Sequence, residues 1–153
     1  MAVDGATAFN AAVAEAQVAA LADRAAITDV VTRYAIAIDS ADWDGLASCF
    51  APEAALHFPN RDLVGPDAIV AYIQSATKGR SWQQHLIGSI AVRIEGDAAT
   101  ARCGLQALQV MDGAPDEALL TAGTYYDRLA RREGEWRIVD RRLDVGWTGT
   151  FHR

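Results

Sequence analysis

Apolar positions recur at three- and four-residue steps from Leu21 through Ile27, Val30, Val31, Tyr34 and Ile38, which is the signature of a helix with one buried stripe ending near Asp39. Ser40 to Asp44 then offers capping side chains for a second short helix, Trp43 to Phe50, stopped by Pro52. Ala54 to Phe58 reads as a short strand. Gly65-Pro66-Asp67 opens a third helix through Ala76, with proline where its missing N–H costs nothing. Beyond Trp82 the period changes from 3.6 to 2, predicting strands near 83–95, 98–111, 117–131 and 135–147. The connections at 95–97, 111–116 and 132–134 carry the Gly and Asp that hairpins require. Helices followed by consecutive hairpins predict an α+β fold: a cone-shaped α+β barrel, three N-terminal helices packed on a highly curved antiparallel sheet enclosing a pocket.

The 153 residues suffice for one domain with a real core. Residues 1–20 read as an Ala-rich arm, helical or frayed, and 21–153 as a single domain. The arm carries Asp4 and Glu15 and lacks a basic n-region, so a signal peptide is not expected there. With no run of about 18 apolar residues, a membrane span is not expected. The net charge of −6 opposes the phosphate term of nucleic-acid affinity, so neither nucleic acid nor an anionic membrane is an expected partner. Cys49 and Cys103 are far apart and lack metal-type spacing. A cytoplasmic location is the default that follows.

Four residues stand out for chemistry. Asp39 sits at a helix C-terminus, where the macrodipole disfavours a carboxylate; either it caps the next helix or it has a cationic or proton-sharing partner. His85, in Trp82-Gln83-Gln84-His85-Leu86-Ile87, is the best partner candidate, although a lone strand histidine is often structural. A carboxylate on one imidazole nitrogen fixes the tautomer and leaves the other as a base. Tyr34 shares the buried stripe, and its hydroxyl needs a partner there. Alternation sends Arg141 and Arg142 to opposite faces of the last strand, so one points inward unless a bulge intervenes. Trp43, Phe58, Tyr72 and Trp82 are candidate walls for an apolar pocket, or plain core. His57 on the short strand and His152 in the tail match no metal spacing, and no Walker loop, GxGxxG, GxSxG or HExxH occurs. Neither a metal nor a cofactor is expected.

The segments Leu21 to Asp39, Trp43-Asp44-Gly45-Leu46, Phe50-Ala51-Pro52-Glu53-Ala54, Gly65-Pro66, His85 and Gly134-Glu135-Trp136-Arg137-Ile138 resemble the SnoaL-like branch of the nuclear transport factor two-like superfamily. The likeness spans about residues 20–147. It is similar above all to the group of scytalone dehydratase, bile-acid dehydratase and hexachlorocyclohexane dehydrochlorinase, in which an Asp ending the first helix pairs with a strand His; Asp39 and His85 match those positions. Tyr34 falls where bile-acid dehydratase has a catalytic Tyr and the dehydrochlorinase a Lys, and Arg141 near the final-strand Arg of both. No match is found for the further strand carboxylate of bile-acid dehydratase.

The resemblance implies a cofactor-independent lyase acting on an apolar cyclic, steroid-like or polyketide-like substrate. His85, Asp39, Tyr34 and Arg141 would be catalytic, and the chain a homodimer or homotrimer. Isomerisation and polyketide cyclisation share the first proton abstraction. A ligand-binding module, or the small subunit of a ring-hydroxylating dioxygenase, is the non-catalytic alternative.

Overall fold

The computed structural model describes residues 3–153, with side chains from residue 7 onward. Residues 1 and 2 of the expected arm lie outside the described residues. The rest of that arm and the helix expected from Leu21 are one element: α1 runs Val3–Ser40 without a break, about 57 Å at 1.5 Å per residue. Alanine favours the helix without needing a stripe to bury, and residues 8–20 are exposed. The expected stripe holds from Ile27 onward, where Ile27, Val30, Val31, Tyr34 and Ile38 are all buried. Asp23 ties the middle of α1 to the far end of the sheet, accepting from Trp136 Nε1 at 3.0 Å and Arg131 Nη2 at 2.8 Å.

The end of α1 is a Schellman turn: the Asp42 N–H reaches the Ala37 carbonyl at 2.9 Å and the Ala41 N–H reaches Ile38 at 3.3 Å. Ala41 takes the left-handed position usually given to glycine, with φ of 55°. Helix α2 (Trp43–Ser48) follows at once. Its cap is Asp42, whose carboxylate accepts from the Gly45 N–H at 2.9 Å, so Asp39 is not the capping residue. A side chain at position 45 would collide with that carboxylate.

Phe50 was expected at the end of the second helix; it opens strand β1 (Phe50–Phe58) instead. The reason is tertiary: the Cys49 carbonyl accepts from the Ile138 N–H at 2.8 Å, drawing the chain into the sheet one turn early. Pro52 falls in the irregular stretch between Phe50 and Ala55, where a missing N–H breaks no ladder bond. Strand β2 (Arg61–Val64), not expected from the sequence, forms a hairpin with β1 across Pro59-Asn60. Helix α3 (Pro66–Ala76) lies where the sequence predicts it.

Four long strands complete the fold: β3 (Arg80–Glu95), β4 (Ala98–Met111), β5 (Ala114–Arg132) and β6 (Glu135–His152). Strand β4 has the expected bounds while β3, β5 and β6 are longer than expected, and His152 belongs to β6 rather than to a tail. The order is β2-β1-β6-β5-β4-β3, antiparallel except for the parallel β1–β6 pair. The result is α+β, with helices on a curved, unclosed six-stranded sheet. Bulges produce the curvature: in β3, Ser89 takes φ of 51° within the register shift between Gly88 and Ala91. A second shift, opposite Arg128 and Leu129, puts Ile138 and Arg141 on the same inner face, both fully buried. That bulge answers the alternation question: Arg141 points inward and Arg142 outward.

Candidate functional site

The Schellman turn stops α1 just after Asp39, and the Asp39 side chain meets the start of β3. Asp39 Oδ1 lies 2.6 Å from His85 Nδ1, and Asp39 Oδ2 accepts the His85 backbone N–H at 2.7 Å. One carboxylate therefore holds both the ring and the backbone of the same residue. Beside an ionised carboxylate, which only accepts, Nδ1 is the ring's donor, and in the neutral imidazole Nε2 then keeps its lone pair. The His85 side chain is 8% exposed and that of Asp39 23%. Asp39 is the member of the pair that meets the neighbouring groove; His85 lies behind it and does not line it.

Gln83, which the sequence did not single out, secures this corner. Its Nε2 donates to the Ile38 carbonyl at 2.8 Å and its Oε1 accepts from Arg80 Nη1 at 3.1 Å. The Ile38 carbonyl, which also accepts from the Ala41 N–H, thereby gains a second donor. Asp39 borders an open groove of about 710 Å³ between the ends of α1 and α3 and the start of β3, with Trp43 and Trp82 among its walls. Phe58 and Tyr72, the other two expected pocket walls, are not part of that groove. Their rings pack on each other at 5.2 Å, with the Arg61 guanidinium over Tyr72.

Tyr34 and Arg141 form a second cluster, deeper in the fold. Tyr34 is five residues before Asp39, about 7.5 Å along the helix axis. Arg141 pairs in register with Asp127 and, across β5, with Ala101, whereas His85 pairs with Ala107. The two rows are six residues of β4 apart, about 20 Å of strand. Arg141 makes a two-pronged bond to Asp127, Nε to Oδ1 and Nη2 to Oδ2, both 2.7 Å, with both side chains fully buried. Its guanidinium lies over the rings of Tyr34 and Tyr125, at 4.1 and 4.3 Å. Burial disfavours the Arg141 charge, but Asp127 outweighs it and holds the pKa above the ordinary arginine range. Burial raises the Tyr34 phenol, opposed by Arg141, so it stays a neutral hydroxyl. Arg141 Nη1 is buried with no hydrogen-bond partner.

Asp127 and Tyr125 were missed from sequence, although the buried alternation Tyr125, Asp127, Leu129 carries them inward. The other histidines are engaged elsewhere. His57 Nδ1 lies 2.7 Å from Asp62 and Nε2 3.3 Å from Asp140, while His152 neighbours Glu117. No helix among the described residues is long and apolar enough to cross a membrane.

A helical layer on an open curved sheet, with a carboxylate–imidazole pair at its mouth, defines a recognisable class. The SnoaL-like domain model matches residues 19–142, and the chain belongs to that family. An uncharacterized protein of Mycobacterium tuberculosis (strain H37Rv) is 29% identical over 128 residues, covering 81% of this chain and 86% of its own. Among solved structures, hexachlorocyclohexane dehydrochlorinase LinA-type3 of Novosphingobium barchaimii superposes with a TM-score of 0.80 at 19% identity, covering 88% of this chain and 94% of that one. A protein assigned as a scytalone dehydratase, from Novosphingobium aromaticivorans, does so with a TM-score of 0.78 at 20% identity, covering 87% and 90%. At such identities the likeness is one of fold.

Proposed function

We propose that this protein is a cofactor-independent lyase of the dehydratase type, acting on a largely apolar cyclic substrate. The observation that carries this reading is the double hold of Asp39 on His85, which fixes the imidazole with Nε2 as the free base. His85 Nε2 removes a proton alpha to a carbonyl; the C–H electrons form the C=C bond, and the C–O bond to the beta hydroxyl breaks. The departing hydroxide takes the proton from the imidazolium, giving water and neutral His85. Asp39 stabilises the imidazolium between the two steps. In this reading Tyr34 and Arg141, buried deeper in the fold, would serve as a floor for a substrate long enough to reach them. The neutral phenol and the unused Arg141 Nη1 are the donors that a substrate oxygen reaching that depth would meet, and one well-placed donor contributes roughly 3 to 4 kcal/mol. Structural neighbours named for a dehydration and a dehydrochlorination, both eliminations, support the reading.

The test is turnover of a panel of beta-hydroxy ketones, steroid- and naphthol-type compounds included, followed by the absorbance of the conjugated product. Wild type produces the enone, and His85→Ala, folded by circular dichroism, loses at least about a hundredfold in rate. Tight binding of the panel without turnover by wild type would instead identify a binding module.

A further inference from the structure

The groove that Asp39 borders holds two basic side chains that no carboxylate among the described residues pairs with. Lys78 is the chain's one lysine. It follows the C-terminus of α3 and is exposed; Arg80, at the start of β3, is half-buried, and both line the groove with Trp43 and Trp82. Many arginines on the sheet hold a carboxylate, as Arg93 does Glu95, Arg128 Asp140, Arg132 Glu53 and Arg142 Asp144. Among the described residues none lies within ion-pair distance of Lys78 or Arg80. The acid in the groove, Asp39, is committed to His85.

Arg80 is also aimed. Gln83 takes only its Nη1, at 3.1 Å, and is itself fixed to the Ile38 carbonyl; the rest of the guanidinium fork has no hydrogen-bond partner among the described residues. A partly desolvated cation is costly unless it faces an anion, and burial lowers the Arg80 pKa with no carboxylate to offset it.

Building on the lyase reading, we infer that the substrate carries an anionic group, a carboxylate or a phosphate, which Lys78 and Arg80 hold at the mouth. Its apolar body lies against Trp43 and Trp82, and its reacting carbon lies at the Asp39 end of the groove, toward the Asp39–His85 pair. The guanidinium fork suits a planar carboxylate or a phosphate, and the lysine adds a point charge. Lys78 and Arg80 thus determine specificity and take no part in the proton transfer.

Two ring systems differing in one group test this: 2-naphthoate and 2-naphthol, titrated calorimetrically into the full-length protein at low salt. Naphthoate binds at least about tenfold tighter, and the preference shrinks as salt is added. In the K78Q/R80Q double variant the two ligands bind equally, with naphthol affinity unchanged, whereas K78R/R80K keeps the preference. His85→Ala also keeps it, so a failed turnover assay and a failed anion site are read separately. Equal affinities in wild type, no binding of naphthoate at millimolar concentration, or a preference that survives in a folded K78Q/R80Q protein overturns the inference. The last result would leave the two cations as partners of the α1 and α3 helix ends alone.

Discussion

Asp39 grips His85 at two points, Oδ1 at the ring Nδ1 and Oδ2 at the backbone N–H, 2.6 and 2.7 Å away. The carboxylate thus sets the tautomer and the strand position together. In ¹⁵N-resolved spectra of the neutral imidazole, wild type carries the proton on Nδ1. Asp39→Ala shifts the population to the Nε2–H form and moves the His85 amide resonance upfield as its hydrogen bond is lost. An unchanged tautomer in Asp39→Ala would show that the pair is incidental to the ring's state.

The Asp127–Arg141 pair is fully buried, so removing one partner strands a charge. Asp127→Asn and Arg141→Met each destabilise by about 3 to 5 kcal/mol, while Asp127→Leu combined with Arg141→Met costs much less than the sum of the two single changes. Urea unfolding followed by tryptophan fluorescence reads all of these. Additive losses would mean that the two side chains act independently.

Ala41 closes the Schellman turn at φ of 55°. Relieving that strain with Ala41→Gly stabilises by up to about 1 kcal/mol, the glycine's own entropy cost offsetting part of the gain. The melting temperature rises. A fall would show that the alanine methyl makes a contact worth more than the strain.

His57 gives the protein a pH-dependent stability. Its pKa is raised, first by the hydrogen bond to Asp62 and then by Asp140, with desolvation opposing. A raised histidine pKa stabilises the folded state fully below the unfolded value of about 6.5 and loses that contribution as pH climbs through the folded value. The side chain is 36% exposed, so the effect is small. The stability gap between wild type and His57→Gln is widest near pH 6 and closes toward pH 9. A gap that grows with pH contradicts the assignment.

The helix-to-strand order was readable because the apolar period changes after Trp82 and the hairpin turns carry Gly and Asp. Asp39 drew notice by ending a helix against its dipole, and His85 by neighbours read as interior, although Trp82 and Leu86 are in fact exposed. Continuity of α1 was hidden, since an Ala-rich stretch with no face to bury leaves no stripe. Strand β2 is four residues long and mostly exposed, too short to show a period. The helical reading of Phe50 was overruled by a tertiary bond, from the Ile138 N–H to the carbonyl of Cys49. The inward turn of Arg141 depends on a bulge in β6 that alternation alone cannot place. Asp127 went unseen because an acid between Tyr126 and Arg128 reads as solvent-facing until the buried face of β5 is known.

In the proposed reaction, proton abstraction by His85 precedes every fate of the substrate, whether elimination, isomerisation or ring closure. Its most direct test is exchange of the alpha protons of a cyclic ketone into D₂O, followed by proton NMR, with wild type and His85→Ala. The account predicts catalysed exchange by wild type that falls to the uncatalysed rate in a His85→Ala protein with an unchanged circular dichroism spectrum. Exchange at the wild-type rate without the imidazole would contradict it.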